Sequence, residues 1–222
     1  MPTREISGAS FVIVGTFNPA IFHPAWLAAQ ELIPPSEATD AKNIIVTSDL
    51  SVIQLPWVRM QVTTDRFIAT TTHDSHFNTL RDLVSGAFEV LRHTPIRQLG
   101  INVEQHYKFE SEETWNAFGH RLAPKKIWKQ MFRDPGMRAM TIVEKAGRTD
   151  GLPGLYRVDV EASVKVKLGV YFRVNDHYEL QPKSGEPVGT SELLPLISKN
   201  NFGESLKRAQ GMIDLLINYD GN

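Results

Sequence analysis

From Val158 to Val174 every second position is apolar: Val158, Val160, Ala162, Val164, Val166, Leu168, Val170, Phe172 and Val174. The positions between them are mostly charged or polar, among them Asp159, Glu161, Ser163, Lys165, Lys167 and Arg173. A period of two sends alternate side chains to opposite faces, so the stretch reads as sheet with one buried and one wet face. It is longer than a usual strand. A bend or tight connection is therefore expected near Ser163 or between Lys167 and Gly169.

The rest of the chain alternates between this period and the helical one. Ser10–Phe17 reads as a short buried strand, and His23–Ile33 as a helix with Pro24 in its first turn, where a missing N–H costs little. Pro34 and Pro35 announce a loop. From Asn43 to Thr72 the runs NIIVT, SVIQL, WVRMQVT and RFIATTT are rich in β-branched and aromatic residues and read as strands. At Asp74–His93 the period changes: Phe77, Leu80, Val84, Phe88 and Leu91 recur at helical spacing, with Asp74 or Ser75 able to cap the start. Ile96–Phe109 returns to strand. Ser111 opens a helix with Trp115, Phe118 and Leu122 on one face, Pro124 breaks it, and PKKIWKQMF restarts a shorter one. Met137–Ala146 is a strand. Thr190 or Ser191 caps a helix, and from Asn200 a long amphipathic helix carries Phe202, Leu206, Ala209, Ile213 and Leu216 on its inner side.

The order of elements says more than any one of them. Residues 1–95 and 96–222 each read as a β-α-βββ-α unit, with room for a fourth strand in the first. Each unit ends in a long helix that must cover the apolar face of an antiparallel sheet. The expected fold class is α+β: two such units in one shared compact domain, with long helices on one sheet face. Element order of this kind is that of the TATA-binding-protein-like and helix-grip architectures, an analogy of fold that carries no function.

The strands VRMQVTTDRFIATTT, the helix containing FNTLRDLV, the strand IRQLGIN and the closing NNFGESLKRAQGMIDLLI together resemble a sporadically distributed family of uncharacterised prokaryotic proteins. That family shows a Gln-Val-Thr…Arg-Phe strand, a central strand with glycine and a C-terminal helix preceded by Asn and Phe. Where it has Gly-x-Arg-Tyr-x-Asn, this chain has Gly100-Ile101-Asn102-Val103-Glu104. The resemblance implies a fold and a bacterial or phage origin, and brings no reaction with it.

Two stretches echo one another. LGINVEQHYKF (Leu99–Phe109) and LGVYFRVNDHYEL (Leu168–Leu180) both open on Leu-Gly and reach His-Tyr. The spacing from glycine to histidine differs between them, so they read as two strands under similar demands rather than as repeat equivalents.

Composition narrows the function. The chain has 222 residues, 41% hydrophobic and 22% charged, with net charge -1 and no cysteine. Disulfides, thiol nucleophiles, thiolate zinc sites and iron–sulfur ligation are excluded. Phosphate neutralisation supplies most of a nucleic-acid binder's affinity, and the overall charge does not favour that class. The N-terminal residues lack a signal-peptide core and no stretch approaches a membrane span, so a cytoplasmic protein without a membrane partner is expected.

Candidate chemistry is thin. No Gly-Lys-Ser/Thr, Gly-x-Ser-x-Gly or His-Glu-x-x-His occurs. His73, Asp74 and His76 place two imidazoles and a carboxylate within four residues, short of the ligand number zinc needs unless a distant residue joins them. His106 and His177, with Glu104 and Asp176, offer an acid/base set if the fold gathers them. Gly185–Ser191 is a glycine-rich turn into a helix start, which suits an anion. On the wet face Arg157, Lys165, Lys167, Tyr171 and Arg173 combine basic groups with an aromatic, a combination that suits a docking surface or single-stranded nucleic acid. No cofactor is expected. The reading favoured by these features is a non-enzymatic binding or accessory protein that engages a protein partner, in the setting of a bacterial defence or toxin-related complex. The alternatives are a ligand-binding protein or enzyme with a pocket between sheet and C-terminal helix, and nucleic-acid binding by the open sheet face.

Overall fold

The computed structural model describes residues 1–146, 148, 150–180 and 193–219. The turn Gly185–Ser191 and the proposed caps Thr190 and Ser191 lie outside the described residues. Among the described residues nine strands form one antiparallel sheet: β1 (Thr3–Gly15), β2 (Lys42–Val46), β3 (Leu50–Gln54), β4 (Arg59–Thr63), β5 (Arg66–Thr71), β6 (Ile96–Lys108), β7 (Ala139–Glu144), β8 (Gly154–Ala162) and β9 (Gly169–Glu179). Their spatial order is β2-β3-β4-β5-β1-β6-β9-β8-β7. The helices are α1 (Pro24–Ala29), α2 (Pro35–Thr39), α3 (Phe77–Val90), α4 (Glu112–Leu122) and α5 (Leu193–Asn218).

The expected α+β class with an antiparallel sheet is what the chain forms, and strands from residues 1–95 and from residues 96–222 lie in that one sheet. The strand β2 overlaps the NIIVT run, and the short helix α2 forms where a plain loop was expected. Pro35 sits at the first helical position, where its fixed φ suits a helix start. Glu37 of that helix accepts a hydrogen bond from the Trp57 indole at 2.8 Å. β1 starts at Thr3 rather than Ser10 because it pairs with β6 along nearly its whole length, from Thr3 opposite Lys108 to Gly15 opposite Ile96. The long alternating stretch does break where its length required. β8 ends at Ala162, a connection follows, and β9 starts at Gly169. Val164, which continues the apolar period into that connection, is 96% exposed.

β1 and β6 are the central pair, and their ladder contains its own symmetry. Two register shifts interrupt it, one skipping Glu5 on β1 and one skipping Arg97 on β6. The spacing that separates Glu5 from Arg97 also separates Ser10 from Asn102, and those two residues are direct cross-strand partners. A local two-fold axis therefore passes between Ser10 and Asn102. The same operation pairs Gly8 with Gly100. It matches Thr70, the β5 partner of Ser10, with Asn175, the β9 partner of Asn102. It then matches Arg59, the β4 partner of Thr70, with Arg157, the β8 partner of Asn175.

The helices cover one face. Phe11, Ile13, Phe67, Ala69, Leu99 and Ile101 point toward them and are buried with Leu80, Val84, Phe88 and Phe202. Phe202 of α5 stacks on Phe11 with ring centroids 5.2 Å apart, and Phe67 meets Phe88 of α3 edge-on at 5.2 Å. A second cluster joins Val103, Phe118, Phe172, Val174, Ala209 and Ile213 under α4 and α5. These side chains pack between the sheet and the described part of α5. Ser111 caps α4 as expected, in a reciprocal box with Thr114. The start of α3 differs. Residues Asp74–His76 form a 3-10 turn and no side chain caps the helix. Asp74 instead pairs with Arg4 at 2.7 Å. At the outer edge, every residue of β2 is exposed, including Ile44 and Ile45 at 50% each. No helix among the described residues is long and apolar enough to cross a membrane.

Candidate binding face

The face opposite the helices presents the other half of each strand. Across its centre runs one row of cross-strand partners: Arg59, Thr70, Ser10, Asn102, Asn175 and Arg157. At about 4.8 Å per strand the row is about 24 Å wide. Its middle is uncharged donors and acceptors, its two ends are arginines, and the two-fold axis crosses its midpoint. Asn175 donates to Asn102 Oδ1 at 2.7 Å, which fixes both amides. Every member of the row except Arg59 lies on the floor of a trough of about 580 Å³, whose walls include Val12, Ile68, Arg66, Glu104, Arg173 and His177. Gly100 keeps the floor low, since a Cβ there would stand 2.9 Å from Asn175 Nδ2.

The charges on this face are partly cancelled in place. Asp159 accepts from Arg173 Nε at 2.9 Å and lies 3.3 Å from Arg157 Nε. Burial opposes ionisation of Asp159, but hydrogen bonds from Thr141 and Arg173 and the nearby Arg157 hold its carboxyl below the usual range. Burial likewise opposes the Arg173 charge, and Asp159 more than restores it. Arg59 and Arg66 have no ion pair among the described residues. Burial raises the Tyr171 phenol, with the Glu104 carboxylate adding to the effect.

Of the five surface residues expected to act together, Arg157, Tyr171 and Arg173 share this face, and Lys165 approaches it beside Glu104, His106 and Tyr171 at a smaller hollow. Lys167 stands exposed in the β8–β9 connection and lines neither depression. The echo between the two Leu-Gly strands is explained by their position: β6 and β9 are direct antiparallel neighbours, with Gly100 opposite His177 and His106 opposite Tyr171.

That pairing separates the acid/base candidates. His106 and His177 lie on one face but about 20 Å apart along the strands, at about 3.3 Å per residue. Asp176 points to the opposite face and is buried against α5. Glu104 is near His106 alone. The four residues form no common site, because neighbouring strand positions alternate faces. His177 instead contacts Glu179 Oε1 at 2.8 Å. His73 and His76 rings meet edge-on at 6.0 Å, and His76 stacks on Trp57 at 5.5 Å. With Asp74 engaged by Arg4, that trio assembles no ligand set. No group of three metal-ligating side chains converges among the described residues.

The structure adds two arrangements that spacing gave no sign of. His106 Nδ1 lies 2.7 Å from Ser163 Oγ. That oxygen already accepts from the Lys165 and Val166 amides at 3.1 and 2.9 Å, so its one proton goes to Nδ1 and the imidazole is neutral. Burial and the nearby Lys165 both lower the His106 pKa, against the opposing pull of Glu104. The hydroxyl is thereby committed to its turn, and the pair is an anchor for the β8–β9 connection. The second arrangement lies on the helix side. Asp176 accepts from Arg148, from Arg208 at 2.7 Å and from Ser205 at 2.5 Å. The Arg148 side chain is wholly buried, also bonds Asp150 at 2.6 Å, and stands 3.6 Å above the Tyr178 ring. Burial alone would lower the Arg148 guanidinium, but Asp150 and Asp176 carry it above its ordinary value. No helical or strand period marks Arg148, which lies in a turn-rich stretch far in sequence from Asp176.

No protein-family model and no curated protein matches the chain.

Proposed function

We propose that this chain is a non-catalytic binding protein that docks a protein partner on its open sheet face. The observation that carries the reading is the polar row across the local two-fold axis, with its uncharged centre and arginine ends. A surface of mixed donors, acceptors and half-cancelled charge suits a polar protein surface better than a phosphate backbone, which calls for unpaired cations. The continuous row and the long helices on one face support the TATA-binding-protein-like reading of the fold over the helix-grip one. The resemblance to a sporadically distributed prokaryotic family agrees with an accessory role in a bacterial defence or toxin-related complex.

The two-fold axis and Arg59, which has no ion pair among the described residues, favour one second reading, a duplex nucleic acid, whose backbone also has local two-fold symmetry. A photo-crosslinking amino acid at Thr70, in the cell of origin, separates the two. A discrete protein adduct, lost when Asn102 and Asn175 are both replaced by alanine, supports the first reading. A nucleic-acid adduct, or none, removes it.

A further inference from the structure

Between α4 and β7 the chain carries Lys125, Lys126, Lys129, Arg133 and Arg138 against the single acid Asp134, in a protein of net charge -1. The expected short helix here is reduced to a 3-10 turn at Trp128–Gln130. Four large apolar side chains of this turn face water: Ile127 at 62% exposure, Trp128 at 46%, Met131 at 65% and Phe132 at 57%. Single exposed apolar residues are ordinary, but four within six positions form a patch of the kind that marks an interaction site. Trp128 and Phe132 also wall a hollow of about 340 Å³ completed by Ala123, Met137 and Ala139, with Lys125 and Arg138 at its rim. Lys125 is answered by Asp134 at 3.4 Å. Lys126, Lys129, Arg133 and Arg138 have no ion pair among the described residues. The hollow opens at the start of β7, whose only strand partner among the described residues is β8. Ile142, midway along that strand, is 57% exposed.

We infer that this corner is a second docking site, separate from the open sheet face, for an acidic partner segment bearing a bulky apolar residue. The segment runs along the edge of β7 that has no strand partner among the described residues, using its backbone groups. Its apolar side chain enters the hollow between Trp128 and Phe132, and its carboxylates face Lys126, Lys129, Arg133 and Arg138. Three features argue for a protein segment over an anionic membrane. Trp128 and Phe132 wall a concavity of about 340 Å³, Lys125 and Arg138 line it with Lys126, Lys129 and Arg133 close in sequence, and a strand edge without a partner among the described residues adjoins it. A lipid surface needs none of these.

The test probes the full-length chain with an immobilised array of short peptides that vary independently in net charge and in content of Leu, Phe and Trp. Retention by peptides that are both acidic and apolar is expected, weaker at physiological than at low salt, with new hydrogen-exchange protection on β7. Trp128→Ala with Phe132→Ala, and separately Lys126→Glu with Arg133→Glu, should each lower retention by about tenfold or more at unchanged melting temperature. These positions are exposed, so the variants fold. Retention independent of peptide charge overturns the proposal. So does no retention by any peptide, or binding to vesicles containing phosphatidylserine without peptide binding. Because the crosslinker at Thr70 reports on the open sheet face, its result stands or falls separately.

Discussion

Replacing Asp176 by asparagine keeps the size of the side chain and removes the charge that two arginines share. Asp176 is 4% exposed, and Arg148, which it holds from the β7–β8 connection, is fully covered. Asp176→Asn leaves Arg148 with Asp150 as its remaining carboxylate, so the cost lies toward the lower end of the about 3–5 kcal/mol for breaking a buried ion pair. Domains of this kind have about 5–15 kcal/mol in total. At about 2–4 °C per kcal/mol for a chain of this length, the melting temperature should fall by about 10 °C. The loss should be localised as well. Arg208 and Ser205 fasten α5 to β9 through the same carboxylate, so α5 amides should exchange faster than those of α3. Thermal denaturation and hydrogen exchange on Asp176→Asn measure both effects. Ser205→Ala is the comparison, since one neutral donor is worth about 1 kcal/mol. A melting temperature for Asp176→Asn within about 2 °C of the parent, or equal losses in both variants, would refute the view that this carboxylate is the anchor of α5.

Three further outcomes follow from other positions. His106 is neutral in the fold with its pKa below 6.5, so its contribution is complete above that value and is lost as pH falls from 6.5 toward the lowered pKa; His106→Asn should flatten the stability slope just below pH 6.5 in thermal melts. Gly154 has φ +146 and would place a Cβ 2.0 Å from the His177 carbonyl oxygen, so Gly154→Ala should yield little folded protein, whereas Gly119→Ala in α4, where a Cβ meets nothing within 4 Å, should gain about 0.5–1 kcal/mol in denaturant titrations. Gly100→Ala should displace Asn175 from Asn102 and weaken the Thr70 crosslink; unchanged crosslinking would show that the trough floor does not contact the partner.

Local periodicity carried most of the element assignments. The helical spacing of Phe77, Leu80, Val84 and Phe88 marked α3, and the length of the Val158–Val174 alternation required the break that falls at residues 163–168. Features set by distant pairing were hidden. The first half of β1 is polar and gains its strand conformation from β6, more than ninety positions away. The alternation that ran through Val164 misled because a connection need not respect the period of the strands it joins. The candidate face was legible as a wet strand face, so Arg157, Tyr171 and Arg173 were placed together. The row through Ser10, Asn102 and Asn175 was not, since it takes one residue from each of six strands. The separation of Asp176 from His177 follows directly from strand geometry, but only once both are known to belong to the interior of one strand.

The sheet ends in two unlike borders. β2 is exposed along its whole length with Ile44 and Ile45 uncovered, while β7 lies beside a basic, aromatic corner. A free border of one copy laid against the other border of the next makes a head-to-tail contact that no rotation is bound to close, which is the geometry of a growing filament. An acidic segment seated on β7 would then act as a terminator, holding the protein as discrete particles. Light scattering of the chain with and without such a segment would read that role as a change in particle length.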